Sequence, residues 1–197
     1  MRTQRNYRNS FRPIEFALWA TGILALGIVG YDWSRASFAQ SRSTRELAEL
    51  SLIPASHVTS NVKDGMVLAR VEIPRLNLSA VIYEGTSEDT LAKGVGHLRG
   101  TSTLGGDSNI VLAAHRDTFF RPLRDVLGGD IITLIGPHRS ERYQVTYTKV
   151  VTPDHVEVAN PTATPVLTLI TCYPFSFLGA APERFVVRAN QTWVSDF

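Results

Sequence analysis

The only cysteine of the 197-residue chain, Cys172, stands where an apolar run ends. Val166 to Ile170 is predicted to be a buried strand, and Pro174 should stop it because proline has no backbone N–H to donate. A thiol at the end of a rigid strand is held firmly while its far side can face a groove. The competing interpretation is that Cys172 is a small buried hydrophobe, as lone cysteines usually are.

A reactive thiol needs a proton partner, because a free thiol with a pKa of about 8.5 is mostly protonated at neutral pH. A second apolar run, Ile110 to Ala114, breaks into polar residues at His115, so a histidine also stands at a strand end. Acyl transfer further requires a donor for the oxyanion. Arg184 enters a third predicted strand, Phe185 to Ala189, and can supply that donor.

Together these motifs resemble the sortases, which are membrane-anchored cysteine transpeptidases of bacteria. The resemblance rests on Thr168–Phe175 (TLITCYPF), on the upstream strand that ends at His115, and on Ala181–Phe185 (APERF). The residues that follow the cysteine and those that precede the arginine are most similar to class D sortases. The resemblance covers about Met66 to Ala189, together with the anchor discussed below.

The resemblance implies that Cys172 is the nucleophile, His115 the acid and base, and Arg184 the oxyanion-stabilising guanidinium. Thr171 is expected to line the pocket for the substrate threonine. The implied reaction cleaves a Leu-Pro-x-Thr-Gly-like signal near the C-terminus of an exported protein between Thr and Gly. A thioacyl-enzyme then passes the protein to an amine acceptor, either a peptidoglycan precursor or another protein, and no cofactor or metal is expected.

Two other functions are compatible with the sequence. A membrane-tethered cysteine peptidase would use the same three residues but end in hydrolysis, and a non-catalytic anchored β-domain would not need Cys172 at all. Two residues also compete for the predicted roles. Glycine-flanked His97 is the rival of His115, and Arg188 is the rival of Arg184.

Composition excludes several classes of function. A net charge of only +2 gives no argument for nucleic-acid binding, and a single cysteine excludes both an intramolecular disulfide framework and a cysteine-rich metal site. No His-x-x-His or His-Glu-x-x-His spacing supports a zinc site. An apolar content of 44% with 19% charged residues fits a globular protein.

The N-terminal region predicts a membrane anchor. Residues 1–12 carry four arginines and no acidic residue, and residues 13–33 form an apolar segment whose far end has aromatic residues suited to a membrane interface. The arginine bias predicts a cytoplasmic tail over 1–12, a single transmembrane signal-anchor over 13–33 and an extracytoplasmic tether over 34–62. The rival interpretation is a signal peptide cleaved near Ser37-Phe38-Ala39.

The remaining residues, 63–197, are predicted to be mainly β. Strands are predicted at Ala69–Ile73, Ser79–Tyr83, Asp130–Ile135, Arg142–Val151 and the three segments that carry the motifs. Ser87 is expected to cap a short helix, and another helical turn is expected at Phe119–Leu123. Many short strands predict a closed barrel or a sandwich, and the sortase resemblance selects an eight-stranded barrel.

Overall fold

The computed structural model describes residues 15–24, 26–27, 63–177 and 179–196. The predicted basic tail and tether, 1–12 and 34–62, lie outside these ranges, as do parts of the predicted anchor. The chain divides into two compact units, residues 1–38 and 39–197. In the first unit, residues 15–24 and 26–27 are helical. Among the described residues, no helix combines the length and the apolar character needed to cross a membrane.

The second unit is an eight-stranded barrel, as the sequence predicted. Its strands are β1 (Val67–Ile73), β2 (Leu78–Glu84), β3 (Val95–His97), β4 (Asn109–Ala113), β5 (Ile131–Ile135), β6 (Arg139–Val151), β7 (Val166–Tyr173) and β8 (Glu183–Asp196). Around the barrel the order is β1-β2-β3-β4-β7-β8-β6-β5. The β2–β3 and β4–β7 pairs are parallel, and the other neighbours are antiparallel.

Side-chain alternation decides which face of each strand fills the barrel. In β1 every second residue is buried, so one face joins the core and the other meets solvent. In β7 both faces are covered up to Leu169: Leu167 and Leu169 belong to the core, while Thr168 on the other face is also fully buried. Each buried leucine side chain contributes about 1.5–3 kcal/mol to folding.

Local signals place the short helices. The single described α-helix of this unit, α1 (Glu88–Leu91), begins where predicted, because the Ser87 side chain accepts a hydrogen bond from the Thr90 amide at 3.3 Å. The helical turn predicted at Phe119–Leu123 lies two residues later, as a 3-10 helix at Arg121–Asp125. The shift follows from proline in the first turn, which suits the start of a helix rather than its interior.

Two strands differ from the prediction. The last strand does not end at Ala189 but continues to Asp196, where it pairs with the first part of β6. This extension is largely exposed and polar, so it lacks the apolar pattern of a buried strand.

The short strand β3 was missed because its centre is Gly96, a residue typical of turns. A Cβ at Gly96 would overlap the carbonyl oxygen of Gly85, so the close approach of the two segments requires glycine.

Candidate active site

Cys172 is the penultimate residue of β7, and its partner in the antiparallel β7–β8 ladder is Arg184. Directly opposed residues in such a ladder project their side chains on the same face, with their Cβ atoms about 4.5–5.5 Å apart. Cys172 is free and partly exposed. The thiol and the guanidinium are therefore neighbours on one face of the barrel wall.

That face is the outer one. Leu167 and Leu169 point into the core, so the alternation of β7 turns Ile170 and Cys172 away from it. On β8, Val187 and Ala189 point into the core, which turns Arg184 outward by the same argument. The candidate site therefore lies on the outer surface of the barrel, and the packed interior holds its strands in place.

His115 comes to the thiol from the other neighbouring strand. β4 and β7 run parallel, with Ala113 paired to Ile170, and the ladder continues as the Ala114 amide donates to the Ile170 carbonyl at 3.3 Å. Extending this register by two residues brings His115 level with Cys172. The order β4-β7-β8 therefore places the partly exposed imidazole on one side of Cys172 and Arg184 on the other.

Thr171 has a different place from the one expected. Its side chain is 3% exposed, and its hydroxyl donates to the carbonyl oxygen of Ala114 at 2.7 Å. This bond ties the strand that carries Cys172 to the residue immediately before His115. We therefore propose a positioning role for Thr171, in place of the expected contact with the substrate threonine.

The guanidinium of Arg184 is oriented by backbone oxygens. Its Nη1 donates to the carbonyls of Glu183 at 2.9 Å and Ala181 at 3.2 Å. The rival, Arg188, is paired with Thr168 instead and donates from Nη2 to a carbonyl of the loop between β6 and β7 at 3.3 Å. Arg184 is therefore the arginine beside the thiol.

The rival histidine, His97, is a buried structural residue. It is 3% exposed; its Nδ1 lies 2.8 Å from Glu84 Oε2, and its Nε2 donates to the Ser102 carbonyl at 2.9 Å. Both ring nitrogens therefore already have polar partners within the protein. His97 has no free nitrogen for a substrate, whereas His115 stands at the thiol.

A groove of about 380 Å³ runs along the outer face beside Arg184. It is walled by the strands that carry the site and by the loop 152–165 between β6 and β7. Its apolar lining includes Val111, Ala113, Ile170, Val156 and Val158. The loop contains a 3-10 helix, Val156–Ala159. An extended peptide that enters this groove comes directly to Arg184.

Asn109 anchors this loop, a role that the sequence did not indicate. Its side-chain amide donates to the carbonyls of Val158 and Asn160, both at 3.0 Å. Its own oxygen accepts from the Thr168 hydroxyl at 2.6 Å, and Asn109 is 1% exposed. Asparagine at the start of a strand usually indicates a turn, so only the folded contacts show that it fixes one wall of the groove.

The arrangement suits nucleophilic acyl transfer. The strand pairing sets a partly exposed thiol opposite a fixed guanidinium that lines an apolar groove, and the strand carrying the histidine lies on the other side of the thiol. Such groups together can attack a carbonyl, move a proton and stabilise an oxyanion. Within the described ranges, no three His, Cys, Asp or Glu side chains converge on a possible metal position.

Comparison with known protein families identifies one domain over most of the barrel. A family model described as the sortase domain matches residues 71–192. Sortase D of Bacillus subtilis (strain 168) is 36% identical over 128 residues, which cover 64% of this chain and 65% of the relative. Sortase A of Streptococcus agalactiae serotype III is 27% identical over 164 residues, covering 79% and 64%. The matches thus span slightly under two thirds of these relatives.

Solved structures agree with the fold. Sortase C from Clostridium perfringens SM101 superposes with a TM-score of 0.61 at 33% identity, covering 81% of this chain and 90% of that one. A Sortase D5 transpeptidase from Clostridium perfringens gives a TM-score of 0.71 and covers 79% and 99%. At 22% identity, this second likeness supports the barrel fold alone.

Proposed function

Because this chain belongs to the sortase family, we propose that it is a cysteine transpeptidase that acts on a C-terminal sorting signal. The observation that carries the proposal is the pairing of Cys172 with Arg184 in the β7–β8 ladder. The β4–β7 register, extended beyond its last pair of Ala113 with Ile170, supports His115 as the neighbour on the other side. The proposed signal resembles Leu-Pro-x-Thr-Gly and is cut between Thr and Gly. The product is the same protein joined to an amine acceptor of the cell envelope.

In the first half of the proposed reaction, the sulfur of Cys172 attacks the carbonyl carbon of the signal threonine. The carbonyl π electrons move to oxygen, and the resulting oxyanion is stabilised by the Arg184 guanidinium. His115 takes up the thiol proton and delivers it to the departing glycine amine as the C–N bond breaks. A thioester between Cys172 and the threonine remains.

In the second half, a free amine attacks the thioester carbonyl from the position that the glycine amine has left. A second oxyanion forms beside Arg184 and collapses with release of the thiolate. His115 accepts the extra proton of the amine and returns it to sulfur. Transfer to water instead of an amine would make the protein a peptidase, so the identity of the product separates the two activities.

The apolar groove supports binding of the signal upstream of the cut bond. Its side chains suit the leucine and proline of such a signal, and Arg184 at its end meets the carbonyl that is attacked. The loop 152–165 forms one wall of this groove. Loops on a rigid scaffold commonly determine specificity, so we propose that this loop selects among related signals.

We further propose that residues 13–33 anchor the protein in the cytoplasmic membrane. In this topology, 1–12 is the cytoplasmic tail, 34–62 the tether and 63–197 the catalytic domain outside the membrane. The proposal is supported by the arginine-rich start and by the side chains of Phe16, Trp19, Ile23 and Leu26, which are 66–75% exposed. Recovery of the intact N-terminus from detergent-extracted membranes would support it, whereas a mature start near Gln40 would refute it.

The test of the proposed activity is intact-protein mass spectrometry with a library of sorting peptides. Wild-type protein should gain the mass of the peptide up to threonine, lose this adduct on addition of an amine, and release a peptide–amine conjugate. Cys172→Ala should form no adduct. If a folded wild-type protein forms no adduct with any peptide, or if only hydrolysed peptide appears in excess amine, the transpeptidase proposal is wrong.

A further inference from the structure

A second and larger groove, of about 860 Å³, opens beside the catalytic residues. One wall begins directly after His115 with Arg116 and Asp117, and the other begins directly after Cys172 with Tyr173 and Pro174. We call it the arginine groove. It shares no lining residue with the apolar groove that contains Arg184. The thioester carbon would thus be approached by two separate grooves of different character.

The arginine groove is basic. Its lining includes Arg116, Arg121 and Arg124, against Asp117 as its one acidic side chain. Arg124 is already paired with Asp125 at 3.3 Å, and both Arg121 and Arg124 are exposed. The groove therefore presents positive charge to whatever enters it.

Arg116 is incompletely bonded at the inner wall of this groove. Its Nη2 donates to the carbonyls of Phe177 at 2.6 Å and Gly179 at 2.9 Å, and these bonds tie the segment after His115 to the segment after Cys172. Its Nη1 is buried and has no hydrogen-bond partner. A buried donor without an acceptor is unfavourable, so the hydrogen-bonding capacity of this guanidinium at the groove wall is not fully used.

We propose that the arginine groove binds the acceptor, and that the preferred acceptor is an amine whose own residue bears a free carboxylate. The proposal rests on the transpeptidase function above, which needs a second substrate. Because the apolar groove suits the leucine and proline of the sorting signal, the arginine groove remains as the site for the acceptor amine. A guanidinium presents paired N–H donors that match the two oxygens of a carboxylate.

Electrostatics adds a reason for the carboxylate. The three arginines outweigh Asp117 in the lining, so an ammonium ion alone meets a net positive groove, whereas a residue that carries both an amine and a carboxylate enters with no net charge. Once the carboxylate is bound, nearby positive charge favours the neutral amine over the ammonium form. The neutral amine has the lone pair that attacks the thioester, so the same arginines select the acceptor and favour its reactive state.

The experiment compares acceptors that differ only in the anionic group. Wild-type protein is acylated with a sorting peptide and offered Nα-acetyl-lysine or Nα-acetyl-lysinamide, whose reacting side-chain amines are alike. Phosphoethanolamine and ethanolamine form a second pair for phosphate. The kcat/KM for each amine and the rate of thioester hydrolysis are measured together. We expect about a tenfold preference for Nα-acetyl-lysine over its amide, the value of one charge-assisted hydrogen bond.

Two variants and a control locate the effect. Arg116→Gln and the double variant Arg121→Gln/Arg124→Gln should each reduce the preference for the carboxylate, while acylation of Cys172 continues. Arg70→Gln removes a charge of the same type from β1, outside the groove, and should keep the full preference. If Arg116→Gln also loses acylation through loop displacement, the double variant on exposed positions still tests the proposal.

The outcomes are separable from those of the proposed function. Failure to form any thioester overturns the transpeptidase function and this proposal with it. Normal thioester formation with equal use of lysine and lysinamide overturns only the carboxylate proposal. A preference for phosphoethanolamine without one for the carboxylate assigns the groove to phosphate and also overturns it. A carboxylate preference that the groove variants lose, and that Arg70→Gln keeps, establishes it.

Discussion

Arg184 stands between two strands, opposite Cys172 of β7 on one side and opposite Val151 of β6 on the other. Its position is therefore fixed by two ladders at once, and its Nη1 is fixed by two backbone carbonyls. An oxyanion donor that is held before the substrate arrives needs no reorganisation during the reaction.

Arg184→Ala should lower kcat by about 100- to 1,000-fold, with a much smaller change in KM, because an oxyanion exists only along the reaction path. The measurement is steady-state kinetics with a sorting peptide and a saturating amine. Arg188→Ala, which lies opposite Thr168 on the same ladder, is the matched control and should leave kcat far less affected. A rise in KM with unchanged kcat would assign Arg184 to substrate binding instead.

The two rival histidines should separate by phenotype. His115→Ala should abolish turnover and leave thermal unfolding nearly unchanged, because the imidazole stands at a strand end on the outer face. His97→Ala should lower the free energy of unfolding by about 3 kcal/mol, because it removes the nearer partner of the buried Glu84 carboxylate and leaves Arg99 at 3.6 Å. The checks are product formation and urea denaturation. Similar losses of stability in both variants would contradict the assignment.

Asn109→Ala should loosen the loop between β6 and β7. Three hydrogen bonds are lost, and the Asn160 carbonyl loses this donor while the Val158 carbonyl keeps the one from Arg188, so the free energy of unfolding should fall by about 1–3 kcal/mol. The kcat/KM for sorting peptides should fall, while Cys172 keeps its reactivity toward a small thiol reagent. Asn160→Ala removes an exposed amide from the same loop and is the control. Unchanged peptide kinetics in a folded Asn109→Ala protein would show that the loop does not need this anchor.

Asp130 should account for part of the stability that the protein loses at acid pH. Hydrogen bonding to the Arg75 guanidinium, with Nη2–Oδ2 at 2.7 Å, holds the pKa of this buried carboxyl below its ordinary value. A carboxyl with a lowered pKa in the folded state stabilises the protein above its unfolded pKa, about 3.9. This contribution is lost as the pH falls from that value through the folded one.

Urea denaturation from pH 7 to pH 3 measures this effect. Asp130→Asn should be less stable than wild type at pH 7, and the difference should shrink below about pH 4 as the wild-type carboxyl takes up its proton. Asp107→Asn, at an exposed position, should follow the wild-type curve. A constant difference between wild type and Asp130→Asn at every pH would mean that the ion pair is not the cause.

The strands that carry the proposed site could be predicted because its residues stand at the ends of apolar runs. Val166 to Ile170 and Ile110 to Ala114 are short apolar runs with β-branched residues, which favour buried strands, and the residues after them are then expected at an edge. The Ser87 hydroxyl marks the start of a helix, and the proline after Ile73 marks the end of a strand. Both signals are equally local. Such features depend on neighbours in the chain, so they can be found without the fold.

The features that were missed depend on neighbours in space. Thr171 and Cys172 are adjacent, but only the pairing with β4 shows that the Thr171 hydroxyl meets Ala114. Asn109 lies 49 residues from Val158, whose carbonyl it binds. The end of β8 is polar because one of its sides pairs with β6 while its side chains face solvent. None of these contacts leaves a pattern in the sequence.

The parallel pairing of β4 with β7 has a consequence for how the proposed site assembles during folding. β5 and β6 are inserted between these strands in the chain and complete the far side of the barrel. His115 and Cys172 therefore meet only after a long loop has closed, a step that is slow in proteins of high contact order. In a folding intermediate whose β4 and β7 have not yet paired, Cys172 would lack the histidine beside it and would react like a free thiol. The proposed activity would therefore appear only when the whole barrel has closed.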